Sequence, residues 1–343
     1  MNIYIKLPGA LLPWYEADHR QLPWRQTKDP YKIWISEIML QQTRVEAVKG
    51  YYARFLETLP NIESLAKADD SQLHKLWEGL GYYSRVRNLK KAAVEIVDIH
   101  NGIFPKSYEQ ILALPGIGEY TAGAICSIGY DLPTPAVDGN VLRVIARLTD
   151  DATPIDLPAY KKQVRSRLEE IYPKEAGCFT QALMELGATV CDPNRKPECD
   201  ACPCRDFCKG RHHAEELPVK LPKRQRRIEE KTVLILRCND RYALLKRPDA
   251  GLLAGLWQFP DIPGLLTTEQ YVGKMEQMGL KPKEILLQVE GKHIFTHIEW
   301  HMRGVYAVVA EPVKDFTWLS LQKIRAEIAL PTAYRQFLDQ ISE

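Results

Sequence analysis

Two textures of hydrophobic spacing divide the chain. From about Asp29 to Cys208, apolar residues recur every three or four positions, as in ESLAKADDSQLHKLWEGL and YKKQVRSRLEEIY, with short Gly and Pro loops between segments. That period lays one apolar stripe along an α-helix and predicts an all-helical front. Farther on, the runs shorten to TVLILRC, YALLKR and VYAVVA, bounded by Gly, Pro, Asn and Asp. These predict strands, joined by a few helical pieces such as RQFLDQIS near the end. Between the two textures lies LPVKLPKRQRRIEEK, with five basic residues and no acid over 220–227, which reads as an exposed linker. The pattern divides the 343 residues into a helical region 1–214, a linker 215–230 and an α+β domain 231–343.

Composition narrows this picture without deciding it. Apolar residues make up 45% of the chain, enough for a proper core. A formal charge of +2 neither points to nor excludes a nucleic-acid partner. No run of 18 apolar residues occurs, and MNIYIKLPGALLPWYEADHR lacks the basic leader and long apolar core of a secretory signal, so the expected location is cytoplasmic. Of eight cysteines, five fall between Cys191 and Cys208, which in a reducing compartment suggests a metal site before a disulfide knot.

Four constellations in the helical part carry chemistry. In ALPGIGEYTAGAIC, Pro115 and two glycines two apart, Gly116 and Gly118, make a tight turn between two helices. Free backbone N–H groups at the second helix start favour an anion, as in a hairpin that holds a DNA phosphate without reading sequence. In PAVDGNVLRVIARL, Asp138 stands at a helix N-cap, a firm seat for a carboxylate as well as an ordinary cap. In CDPNRKPECDACPCRDFC, Cys191, Cys199, Cys202 and Cys208 suit a [4Fe–4S] cluster or a zinc ion, the unequal arms leaning toward iron–sulfur, with Cys204 a spare that can replace a neighbour. In YKIWISEIMLQQT, Glu37 sits on an apolar helix, sharing a face with Ile33, Trp34, Leu40 and Gln41. Burial raises a carboxylate's pKa and lets it hold a proton for donation; the bland alternative is pairing with an arginine such as Arg44. Gln41, Gln42 and Thr43 at the helix end carry donors and acceptors suited to base edges.

Taken in order, WISEIMLQQT, GLGYYSRVRNL, LPGIGEYTAGAI, PAVDGNV, ALMELGA and the cysteine cluster resemble the MutY family of adenine DNA glycosylases, within the helix–hairpin–helix superfamily that includes endonuclease III. The resemblance runs from about Leu22 to Cys208 and resumes at GLLAGLWQFP and HIFTHIEW. It implies a multidomain protein: an all-α helix–hairpin–helix glycosylase with an iron–sulfur cluster, and an α+β Nudix-like C-terminal domain. The six-helix barrel would take about 28–135, and the iron–sulfur subdomain 1–27 with 136–214.

The implied activity is excision of adenine mispaired with 8-oxoguanine or guanine in duplex DNA, by a monomer that flips the nucleotide into a pocket. By matched position Glu37 protonates adenine, Asp138 stabilises the sugar cation, and Tyr120 and Asn140 assist them. Strand-cutting members carry a lysine where Tyr120 stands, 18 residues before Asp138, so the resemblance implies base removal alone. Arg20, Leu22, Trp24, Arg25 and Gln181 would line the adenine pocket. Gln42 and Thr43 would wedge the duplex, with Leu80 and Tyr82 near the damaged base. The cluster ligands would be Cys191, Cys199, Cys202 and Cys208, although seven residues separate the first pair where the family usually has six.

In the second domain GLLAGLWQFPDIPG takes the place of the Nudix hydrolase box without its acidic cluster, so recognition without hydrolysis is expected. His293, His297 and His301 stand four apart, but Ile294, Thr296, Ile298, Trp300 and Met302 alternate, which predicts a strand. Four strand residues span about 13 Å, too far for one metal ion. Instead Phe295, Thr296 and His297 match the family's loop that checks 8-oxoguanine, with threonine where serine is usual. Two other readings stay in view: an endonuclease III-like glycosylase for oxidised pyrimidines, and a damage sensor without catalysis. Tyr120 speaks against the first, and the joint presence of Glu37 and Asp138 against the second.

Overall fold

The computed structural model describes residues 2–222 and 225–341; Lys223 and Arg224 of the expected linker lie outside the described residues. The chain forms two compact units, Met1–Lys67 with Asn88–Pro222, and Ala68–Arg87 with Lys223–Glu343. Segment 68–87 thus groups with the sheet, and the first strand already begins at Arg227, inside the stretch read as linker. Among the described residues, no helix is long and apolar enough to cross a membrane.

The first unit is helical throughout. Its helices include α1 (Ile3–Ala17), α2 (Pro30–Leu40), α3 (Val45–Thr58) and α4 (Ile62–Lys67). After α5 (Asp70–Leu76), which belongs to the second unit, come α6 (Ser84–His100), α7 (Tyr108–Ala113), α8 (Glu119–Ala124), α9 (Gly139–Thr149), α10 (Pro158–Glu169) and α11 (Ala176–Thr189). Helix α2 starts where Asp29 accepts from the Tyr31 amide and Pro30 takes the first turn. It stops where Gln42 enters the left-handed region at φ 59°. Eight of its eleven residues are buried, Glu37 among them, so it is a central helix rather than an amphipathic surface one. Helix α9 is capped by Asp138, whose carboxylate accepts from the Val141 amide at 2.8 Å. Helix α9 packs in a core that runs from Leu7 and Leu11 of α1 through Val144 and Ile145 to Phe179 and Leu186 of α11.

The second unit is built on a sheet of order β3-β2-β1-β6-β5, with β4 (Asp261–Pro263) also pairing β1 and β7 (Thr317–Ser320) pairing β2. The long strands are β1 (Arg227–Cys238), β5 (Pro282–Ile294) and β6 (Ile298–Val309); β2 is Arg241–Lys246 and β3 Trp257–Gln258. Strands β1 and β6 run parallel, β5 and β6 antiparallel. The continuous apolar run TVLILRC is explained by burial on both faces. Val233 and Ile235 pack with Tyr334 and Phe337, while Leu234 and Leu236 pack with Tyr271 and Met275 of α12 (Thr268–Gln277).

One expectation is corrected here. Residues 294–302 are not one strand: β5 ends at Ile294 and β6 starts at Ile298. The chain folds back through Phe295–His297, closed by the Phe295 amide donating to the Ile298 carbonyl at 2.8 Å. Alternation survives a hairpin, because both arms keep the two-residue period, so the pattern alone did not mark the turn.

Candidate active site

Five segments of the helical unit wall a cavity of about 530 Å³, the size of a small-ligand site. Helix α2 and its end contribute Glu37, Gln42 and Thr43; the loop before it, Arg20, Leu22, Trp24 and Arg25; α8, Tyr120; the start of α9, Asp138 and Asn140; and α11, Gln181. The cavity therefore gathers the residues singled out for the acid, the carboxylate, their helpers, the base pocket and the wedge. Sequence reasoning had not singled out Ser36, Ile128, Met184 or Ala188, which line it too.

Glu37 pairs with Tyr120, not with Arg44: the Tyr120 hydroxyl donates to Glu37 Oε2 at 2.6 Å. Burial pushes the Glu37 pKa up to about 7; the Tyr120 hydrogen bond pulls it down and the charge of Asp138 pushes it up again. The same burial, with the charges of Glu37 and Asp138, keeps Tyr120 well above the ordinary tyrosine value and so a neutral donor. Burial also raises the pKa of Asp138, opposed by hydrogen bonds from Val141 and Asn140, whose Nδ2 donates to Asp138 Oδ2 at 2.7 Å. Asn140 is held in turn by Arg143, which donates to Asn140 Oδ1 at 2.9 Å and to the Cys191 carbonyl at 3.0 Å.

Behind the wall stands a group given no role from sequence, Glu185 of α11. Its carboxylate, almost wholly buried, takes Arg20 Nε at 2.9 Å, Arg20 Nη2 at 2.8 Å and Arg25 Nη2 at 2.6 Å. Burial pushes this carboxyl up, but the arginines overcome it and hold the pKa near about 2. The signal was present in ALMELGA: one carboxylate in an apolar helix, as in WISEIML.

Other residues fall elsewhere. Gly116 opens the hairpin between α7 and α8 at φ 78°, where a Cβ would stand 2.5 Å from that of Asn88; Gly118 caps α8. In the second unit, Tyr82, Phe295, Thr296 and His297 line a cavity of about 380 Å³, and the Tyr82 and Thr296 hydroxyls are 3.0 Å apart. Leu80 is buried and lines neither cavity.

Cys191, Cys199, Cys202 and Cys208 surround one narrow cavity beside Arg147, Arg205 and Arg211, with no carboxylate in the lining. Arg147 Nη1 donates to Cys191 Sγ at 3.2 Å. Cys204 is fully buried in the helical core and outside the lining of that cavity, but its thiol hydrogen-bonds that of Cys202, so it remains beside the other cysteines. Among the described residues, no three His, Cys, Asp or Glu converge on a point as one metal ion requires. Four thiols around a cavity with cationic neighbours are consistent with an anionic iron–sulfur cluster.

Comparison with known proteins decides the family. The adenine DNA glycosylase of Buchnera aphidicola subsp. Baizongia pistaciae is 34% identical over 97% of this chain and 96% of its own length. The chain belongs to the adenine DNA glycosylase family. The mouse member is 35% identical over 96% of this chain and 77% of its own. Two family models match parts of the chain, the HhH-GPD superfamily base excision DNA repair protein over 35–174 and the NUDIX domain over 232–340. Among solved structures, a thermostable thymine-DNA glycosylase superposes with a TM-score of 0.55 at 28% identity, covering 61% of this chain and 97% of its own. Endonuclease III trapped on DNA gives 0.52 at 23% identity and speaks to the fold alone. Family membership makes the chain an enzyme of base excision repair, a glycosylase that hydrolyses N-glycosyl bonds.

Proposed function

We propose that the chain removes adenine mispaired with 8-oxoguanine, without cutting the strand. The observation that carries this reading is the Tyr120–Glu37 hydrogen bond in a cavity that also holds Asp138. Adenine is a poor leaving group as an anion. An acid with its pKa near 7 keeps a proton at neutral pH and passes it to the base as the glycosidic bond breaks. Departure of the base leaves positive charge on the sugar. Asp138, fixed by the α9 amides and by Asn140, is the anion that stabilises it. Arg20, Leu22, Trp24, Arg25 and Gln181 form the remaining walls for the flipped purine. With tyrosine at 120, no amine is aimed at the sugar from that position for Schiff-base chemistry.

Around this centre, Gln42 and Thr43 at the cavity rim wedge the duplex, and the Gly116–Gly118 hairpin holds a backbone phosphate. The helical region to residue 214 thus supplies excision, and the domain from 231 lesion recognition. In the second unit, 8-oxoguanine offers N7–H and O8 where guanine offers only the N7 acceptor. The adjoining Tyr82 and Thr296 hydroxyls supply one acceptor and one donor for that edge, beside Phe295 and His297. Cys191, Cys199, Cys202 and Cys208 would hold a [4Fe–4S] cluster, which when bound ties together the segment from 191 to 208.

The test is a labelled duplex with adenine opposite 8-oxoguanine, incubated with the protein and then split, half treated with hot alkali. Breaks only after alkali are expected. Breaks without alkali would sink the base-removal-only reading. Cutting of a thymine-glycol duplex instead would move the chain to the oxidised-pyrimidine branch.

A further inference from the structure

A buried line of hydroxyl groups outside the reacting centre joins three walls of the cavity. Ser127 Oγ donates to the Gly123 carbonyl at 2.7 Å. A carbonyl only accepts, so this uses the single proton of Ser127, and its oxygen accepts from Thr180 Oγ1 at 2.8 Å. Thr180 has then spent its own proton, so the 2.6 Å contact with Tyr172 has the tyrosine donating. The direction is fixed throughout: Tyr172 to Thr180 to Ser127 to the Gly123 carbonyl. Ser127 and Thr180 are almost wholly buried, and Tyr172 also takes a backbone hydrogen bond at Ala136.

The positions of these groups tie the line to the site. Gly123 lies one turn beyond Tyr120 on α8, Thr180 directly precedes Gln181 on α11, and Ala136 lies two residues before Asp138. Ser127 sits in a single π-turn, Ile125–Gly129, that continues α8. Such turns are rare in helices and concentrate at functional sites, because their widened hydrogen bonding changes carbonyl partners. The packing leaves no slack: a Cβ on Gly123 would stand 2.3 Å from the Pro135 carbonyl oxygen.

We infer that Thr180, with Ser127 and Tyr172, is a positioning element that sets Tyr120, and through it Glu37, against the α11 and Asp138 walls of the cavity. This rests on the excision reading above. The three hydroxyls touch no substrate. They act by holding α8, α11 and the 135–138 loop in one register, and a displacement of the order of 1 Å at the acid is enough to lower its rate by about 100-fold.

Full-length protein, isolated with its cluster, is assayed in single turnover on the adenine–8-oxoguanine duplex, with duplex affinity measured alongside. Thr180→Val keeps shape and removes both hydrogen bonds; the excision rate should fall at least about tenfold while the duplex Kd stays within about twofold. Thr180→Ser restores the hydroxyl and should restore most of the rate, which a simple packing role for the residue does not predict. An unchanged rate in Thr180→Val, or an equal loss in Thr180→Ser, overturns the inference. Should Thr180→Val not fold, Tyr172→Phe removes only the first donor, and about a threefold slower rate is expected; a rate equal to wild type then overturns it. A wild-type protein inactive on this duplex counts against the excision reading itself, not against the positioning element.

Discussion

Two helices that wall the cavity each bury one glutamate, and the two carboxyls have opposite fates. Glu37 on α2 is 5% exposed and Glu185 on α11 is 2% exposed, so water reaches both about equally. Glu37 receives one neutral hydroxyl and faces another carboxylate, and burial lifts its pKa to about 7. Glu185 receives two guanidinium groups, and its pKa falls to about 2. Burial alone therefore does not assign a role; the charge of the partners does. One site becomes a proton store. The other becomes a fixed anion that holds two arginines of the cavity wall.

The comparison breaks most completely at Glu37. Glu37→Gln removes the transferable proton but keeps the shape and the Tyr120 contact. Single-turnover excision should fall on the order of 10³-fold while lesion-duplex binding persists in a gel-shift or anisotropy titration. Equal excision in both proteins ends the general-acid assignment.

At Glu185 the loss should appear in stability. Glu185→Gln strands Arg25, 9% exposed, and Arg20, 38% exposed, without their anion. Breaking such a buried pair costs about 3 kcal/mol, the low end of the range because Arg20 is screened by water. The folded pKa lies below the ordinary value, so this stabilisation is complete above about pH 5 and drains away as pH falls toward about 2. Urea unfolding of both proteins should therefore show a constant gap from pH 7 to 5 that narrows below 4. A gap that widens on acidification contradicts the pairing.

A subtler change at Tyr120 sharpens the contrast. Glu37 acts when protonated, so excision should decline about tenfold per pH unit above about 7. The Tyr120 hydrogen bond stabilises the carboxylate and holds that midpoint down. Tyr120→Phe should lower the rate at neutral pH yet move the midpoint of the decline upward. A downward movement would mean that the hydroxyl favours the protonated form, contrary to the geometry.

Not all of this was legible in the sequence. Glu37, Asp138 and the cysteines stood out because each breaks a local rule: a carboxylate in an apolar run, a cap beside a hairpin, thiols crowded together. The helical and sheet textures followed from period alone, and the observed elements agree with them. Strand β5 escaped notice because PKEILLQVEGKHI has an irregular alternation; it is a sheet edge, exposed at Leu286, Leu287 and Ile294, with register shifts near Pro282 and Ile285. Thr180 and Ser127 look like ordinary helix-interior hydroxyls, and their link depends on a contact 53 residues apart that no local pattern encodes. Glu185 had the same signature as Glu37 and stood in the motif ALMELGA, but only the contact with Arg20 and Arg25, about 160 residues away in sequence, shows what it does.

The smallest expected effect sets a limit on the comparison. Tyr82 and Thr296 form a second tyrosine hydrogen bond, 3.0 Å long against 2.6 Å at Tyr120, but Tyr82 is 47% exposed. If partners and burial together govern these sites, the exposed pair should contribute little to stability, because water replaces each hydroxyl's partner. A double-mutant cycle of Tyr82→Phe and Thr296→Val should give a coupling below about 0.5 kcal/mol in unfolding free energy. The same variants should still lose discrimination between 8-oxoguanine and guanine opposite adenine, since each removes one hydroxyl from the proposed reader of N7–H and O8. A coupling of about 2 kcal/mol would show that the pair is a structural contact and that exposure does not weaken it.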